Sequence, residues 1–278
     1  MKKLLLAGAA LAALTVAGSA VAADLEVPAY KSEPLIVPVY DWTGFYIGVN
    51  AGYSFGNSSN TYTITGFPPF TSSTHMGGDV IGGQAGYNWQ VNRNWVIGIE
   101  ADFQGTGQKG TDSPAPIVNS SCVGGMFCTT TSNGVSMDQT LDGFGTARAR
   151  FGFVPWDHLM LFVTGGAAFG EIATTATANT TVSTTLGGTP FGPTVATVSS
   201  ANFANWRVGW TVGGGAEWVL SGPWTAKVEY LFVDLGSYSN TVPANPTVPS
   251  TLINSHVTDS IVRVGINYRF GGPVVARY

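Results

Sequence analysis

Nine charged residues stand out because each occupies an alternate position inside an otherwise apolar stretch: Glu100, Asp102, Arg148, Arg150, Arg207, Glu217, Lys227, Glu229 and Arg263. The close pair Glu100 and Asp102 has the residue types of general acid–base chemistry. Neighbouring arginines would hold both ionised, and neither a nucleophile nor a cleft accompanies them, so no catalytic residue and no enzyme activity is expected. Five of the nine are cations and four are anions. Charges removed from water must be paired and hydrogen-bonded. The expectation is therefore a filled structural network, with Arg207 partnering a carboxylate such as Glu217 or Glu229; a conducting path is the alternative. Cys122 and Cys128 have five residues between them and no histidine or third cysteine nearby. In an exported chain that spacing favours a local disulfide over a metal site. His75 and His256 fall in the first and last long connections, where two imidazoles could in principle hold haem iron or a divalent metal. Such histidines are more often solvated, and no metal or cofactor is expected.

Strands must position these residues. Asp259 to Phe270 reads DSIVRVGINYRF. Val262, Val264, Ile266, Tyr268 and Phe270 share one face of an extended chain; Arg263, Gly265, Asn267 and Arg269 share the other. Seven earlier stretches alternate likewise. Phe45 to Phe55, Ile81 to Trp89, Trp95 to Phe103, Leu141 to Phe153, Leu159 to Phe169, Trp206 to Trp218 and Trp224 to Phe232 each set apolar residues against Gly, Thr, Asn and the charges above. Leu141 is assigned to the apolar face of its strand. Phe144 falls on the polar face as a misfit that a bulge or an inward aromatic would explain.

Connections alternate too. Those after the second, fourth and sixth strands (QVNRN, PWDH, SGP) are short, whereas the other four run to about 20 to 35 residues rich in Ser, Thr, Asn, Gly and Pro. An even number of amphipathic strands with short turns at one rim and long loops at the other predicts an all-β fold, an eight-stranded antiparallel transmembrane β-barrel with short periplasmic turns and long extracellular loops. The polar set, mostly glycine, would cover a soluble surface poorly. The apolar set, with three tryptophans on the sixth strand, would not fit an eight-stranded lumen. Trp42, Tyr87, Trp89, Trp95, Trp206, Trp218, Trp224 and Tyr268 lie near strand ends, where aromatic girdles form.

The ends of the chain fit export. Lys2 and Lys3, an apolar run from Leu4 to Val16, and Ala20-Val21-Ala22 make residues 1–23 a cleavable signal peptide. Residues 24–40, with prolines at 28, 34 and 38, read as an extended periplasmic linker. The barrel is expected over 41–270 and a tail over 271–278. Charged residues are only 10% of the chain, against about 25% in soluble domains. The net charge of −4 becomes more negative once the leader lysines leave, which excludes the basic footprint of a nucleic-acid binder.

The stretches WTGFYIGVNAGYSFG, YNWQVNRNWVIGIEADF, VTGGAAFG and VRVGINYRFGGPVVARY resemble the alphaproteobacterial family of small outer-membrane immunogenic proteins, OmpA-type eight-stranded barrels described as porin-family surface antigens. The resemblance covers Trp42 to Tyr278. It implies residence in the outer membrane and a structural or surface-antigen role; members are described variously as structural, adhesive, antigenic or haem-binding. Small porin-like channel and loop-mediated adhesin or haem receptor are the alternatives. Implied partners are outer-membrane lipid and lipopolysaccharide, the barrel-assembly machinery, and host or surface ligands of the loops. RVGINYRF also resembles the terminal strand by which such barrels are recognised for insertion, with Gly265, Tyr268 and Phe270 as its signal residues. Here GGPVVARY follows Phe270.

Overall fold

The computed structural model describes residues 40–271. The stretch expected to be signal peptide, nearly all of the expected linker, and the expected tail beyond Gly271 lie outside the described residues. Among the described residues ten strands follow one another: β1 (Gly44–Ile64), β2 (Phe70–Gln90), β3 (Trp95–Asp112), β4 (Ile117–Val123), β5 (Phe127–Trp156), β6 (Leu159–Leu186), β7 (Thr189–Pro190), β8 (Val195–Ser221), β9 (Trp224–Val242) and β10 (Thr251–Phe270). Eight of them form a closed antiparallel ring in the order β5, β3, β2, β1, β10, β9, β8, β6, with β6 returning to β5. Closure of the first strand on the last runs in unbroken register from Phe45↔Phe270 to Ile64↔Thr251. In lipid every backbone polar group needs a partner, and a closed ring supplies one without leaving an edge.

The long connections are not loops. A strand needs about 9–11 residues to cross a bilayer, yet β1 and β2 have 21 each, β5 has 30 and β6 has 28. β1 reaches β2 through residues 65–69 alone. The Ser/Thr/Asn-rich runs expected to be irregular continue the strands beyond the membrane as hairpins, and β4 and β7 add short strands at their tips.

The lower part of the ring carries the expected outward face: Phe45, Ile47 and Val49 on β1, Ile97, Ile99 and Phe103 on β3, Trp206, Trp210 and Trp218 on β8, and Val262, Val264 and Ile266 on β10 are all exposed. Above this belt the outward residues of β1 turn polar, namely Asn57, Ser59, Thr61 and Thr63, while Tyr62 and Ile64 turn inward and are buried. The upper barrel also splits. The β2–β3 ladder has its uppermost rung at Gly77↔Lys109 and the β8–β9 ladder at Trp210↔Asp234. Above those rungs β2, β1, β10 and β9 form one leaf, and β3 with β4, β5, β6 and β8 form the other. Side chains bridge the β8–β9 seam: Asn205 Nδ2 donates to Asn240 Oδ1 at 3.1 Å and Ser199 Oγ to the Pro243 carbonyl at 2.9 Å.

Leu141 departs from the expected face. The β5–β6 register shifts between Leu141 and Gly143, leaving Asp142 as the extra residue. The bulge changes the phase, so Leu141 and Phe144 both point inward and are buried. The misfit of Phe144 is thus both an inward aromatic and a neighbour of a bulge.

Candidate functional site: a layered lumen

Inward positions stack into layers. At the periplasmic end Trp42, Val96, Val154 and Met160 form an apolar floor. Trp42 is fully buried, and its backbone N–H donates to Gln90 Oε1 at 2.7 Å. Arg269 lies with its guanidinium carbon 4.5 Å from the centre of the Tyr40 ring and donates to the Thr43 carbonyl at 3.0 Å.

Above the floor lies the charge cluster. Arg148 contacts Glu100 at 2.5 Å, Asp102 at 2.7 Å and Glu229 at 2.5 Å. Arg263 contacts Asp102 at 2.7 Å and Glu229 at 2.8 Å. Lys227 reaches Glu100 at 2.9 Å and Glu229 at 3.2 Å. Arg150 pairs with Glu217, whose other oxygen accepts from Thr225 at 2.5 Å and Asn267 at 2.9 Å. The Tyr46 hydroxyl donates to Glu100 at 2.7 Å. Gln84 and Asn50 extend the chain of bonds from Asn267 to β1, and Thr164 accepts from Arg148 at 3.1 Å. All eight ring strands contribute. The side chains of these ion pairs are at most 1% exposed.

Eight of the nine charges singled out in the sequence come together here, four of each sign. Arg207 does not. It sits higher on β8, donates to the Ser237 carbonyl across the seam, and faces the Tyr238 ring at 5.7 Å. Strand alternation assigns a face but not a height, and Arg207 is ten residues above Glu217 on the same strand. The carboxylates expected to meet Arg207 have other partners: Arg150 for Glu217, and Arg148, Lys227 and Arg263 for Glu229. Tyr46, Gln84, Thr225 and Asn267 had no charge to mark them, although their alternate positions place them on the same inward face.

An apolar layer follows, built from Met76, Val80, Leu141, Phe144, Ile172, Leu231 and Ile261 among others. Higher still, Asp112 accepts hydrogen bonds from Asn60 at 3.0 Å, Tyr62 at 2.8 Å and Ser72 at 2.8 Å. Tyr62, Val135, Met137, Ala176, Val242, Val248 and Ile253 close the top as a second apolar layer between the two leaves.

The remaining residues lie elsewhere. His75 and His256 are on β2 and β10 rather than in loops; both are exposed, opposite Asn57 and Ser59 on the two sides of β1. His256 Nδ1 is 3.0 Å from Ser237 Oγ. Among the described residues no group of three or more His, Cys, Asp or Glu is placed to hold a metal ion. Cys122 and Cys128 face each other across β4 and β5 and are joined as a disulfide. At the end of β10, Tyr268 and Phe270 point outward, their rings packed on Trp224 and Phe45 at 5.1 and 5.6 Å, while Gly265 points inward. A Cβ on Gly265 would lie 2.9 Å from the Val49 carbonyl oxygen.

Residues 9–270 match the model of the outer membrane protein beta-barrel domain family. The chain belongs to that family. It is 34% identical over 283 residues to the 31 kDa outer-membrane immunogenic protein of Brucella melitensis biotype 1, with 97% of this chain and 100% of the relative covered. It is 25% identical over 270 residues to the 25 kDa outer-membrane immunogenic protein of Brucella canis, covering 97% and 99% of the two chains. Among solved structures, the outer membrane protein OprG from Pseudomonas aeruginosa aligns with a TM-score of 0.47 at 11% identity, over 84% of this chain and 99% of that one. This is an outer-membrane β-barrel protein, resident in the outer membrane.

Proposed function

We propose that the barrel is a filled, non-conducting and non-catalytic scaffold that braces the outer membrane and displays its upper leaves at the cell surface. The observation that carries this reading is the layering of the lumen: an apolar floor, a charge-balanced network fed by all eight strands, and two apolar layers above it. An open path for ions needs hydrated and unpaired groups along its whole length, whereas here each network carboxylate has at least one cationic partner. Glu100 and Asp102, the pair with the residue types of acid–base chemistry, are bound into that network with no exposed reacting position.

Partners follow from the two surfaces. The outward apolar belt takes lipid and the acyl chains of lipopolysaccharide; the outward face of β10, with Tyr268 and Phe270, is what the assembly machinery would read; the polar upper walls are where host or surface ligands would meet the protein. The test is conductance in planar bilayers. The purified barrel is expected to leave the membrane at baseline current. Stable, reproducible open-state steps that scale with protein added would overturn the reading in favour of the channel.

A further inference from the structure

The leaf containing β5 and β6 is taller than its opposite. The short leaf ends at Ile64, Phe70, Val242 and Thr251. Beyond that level β4 pairs with β5 from Ile117↔Asn133 to Val123↔Phe127, adding seven residues, or roughly 20 Å of strand. Among the described residues β4 is bonded on one side only. Val118 to Val123 are all exposed, and the Cys122–Cys128 disulfide pins the strand to β5.

Solvent-facing edges normally carry a lysine, an inward charge or a bulge that discourages pairing. This one, IVNSSCV, carries none. No charged residue occurs from Ser113 to Met137 or from Ile172 to Trp206, so the upper part of the tall leaf, β4 included, is uncharged in a chain of net negative charge. β4 is also close to a palindrome. Antiparallel pairing of two copies about Ser120 sets Ile117 opposite Val123, Val118 opposite Cys122, and Asn119 opposite Ser121. Apolar residues meet apolar and polar meet polar.

We propose that the free edge of β4 pairs antiparallel with β4 of a second copy, joining two barrels head to head. Such a contact is isologous and closes at two copies. Both strands rise away from their own membranes, so antiparallel pairing requires barrels in opposed membranes; copies sharing one membrane hold their β4 strands parallel. Centring on Ser120 pairs all seven residues of the two β4 strands.

The experiment uses full-length mature protein in donor- and acceptor-labelled proteoliposomes, with vesicle clustering read by energy transfer. Wild-type vesicles are expected to cluster. Ser120→Lys and Ser120→Glu each place like charges face to face and are expected to abolish clustering, while mixing Lys vesicles with Glu vesicles restores it. Heat-shifted migration in SDS gels checks that both variants are folded. Absence of wild-type clustering, clustering of Ser120→Lys alone at the wild-type level, or failure of the mixture to recover would each overturn the proposal.

Discussion

The lower and upper halves of this barrel are built from the same strands with their chemistry reversed. On β10 the inward residues nearest the periplasm are Arg269, Asn267, Gly265 and Arg263, and the outward ones are Phe270, Tyr268, Ile266, Val264 and Val262. Farther up, the inward positions include Ile261, Val257 and Ile253, and the outward ones are Ser260, Thr258, His256 and Asn254. β10 keeps unbroken register with β1 throughout. The reversal is therefore written in side chains, with no change in backbone phase. Lipid outside demands apolar side chains there and leaves polar ones for the lumen; water outside demands the opposite, as in two sheets packed face to face. The lower half fills its interior with ion pairs because it has no other polar surroundings, and the upper half buries an ordinary apolar core.

Substitutions can break each half by its own rule. Arg148→Ala leaves Glu100, Asp102 and Glu229 short of a shared cation and is expected to cost about 3–5 kcal/mol, read as a lower urea midpoint for unfolding from vesicles. Ile253→Ala opens a hole in the upper apolar layer and should cost about 2–5 kcal/mol. Because Ile253 lies above the lipid, its variant should lose protease resistance in the upper leaves before the ring loses its heat-dependent gel shift. An outward arginine sharpens the contrast on a single strand. Val264→Arg is expected to destabilise by about 2–4 kcal/mol if it sits near the bilayer midplane, whereas Asn254→Arg, ten residues higher on the same face, should leave the urea midpoint unchanged. Arg207→Ala comes last. Its hydrogen bond to Ser237 lies in the seam and outside the charge network, so about 1 kcal/mol is expected, and a loss as large as that of Arg148→Ala would put Arg207 back among the network carboxylates.

The lower half was legible in the sequence because lipid enforces strict alternation. Every outward residue from Val262 to Phe270, and eight of the nine charges, followed from period two alone. The upper half was not, for three physical reasons. Thr, Ser and Asn runs such as the one from Thr174 onward in β6 carry little hydrophobic contrast, so strand and loop look alike there. The bulge at Asp142 shifts the phase and turned Leu141 inward. Alternation also gives no height along a strand, which separated Arg207 from the carboxylates it was expected to meet. The glutamine, asparagine and tyrosine members of the network, Gln84, Asn267 and Tyr46, were visible only as polar-face residues without charge.

The length of the β5–β6 ladder has a mechanical consequence. It runs from Phe127↔Leu186 down to Trp156↔Leu159, joining the upper end of the tall leaf to the periplasmic rim through one continuous pair of strands. A pull on the tip directed along the strands loads those rungs in shear, so many bonds share the force. A sideways pull peels them one at a time. At the seams above Gly77↔Lys109 and Trp210↔Asp234 no backbone rungs join the leaves, so load passes sideways only through side-chain contacts. Tension at the cell surface is thus carried chiefly along the β5–β6 ladder into the membrane-anchored ring.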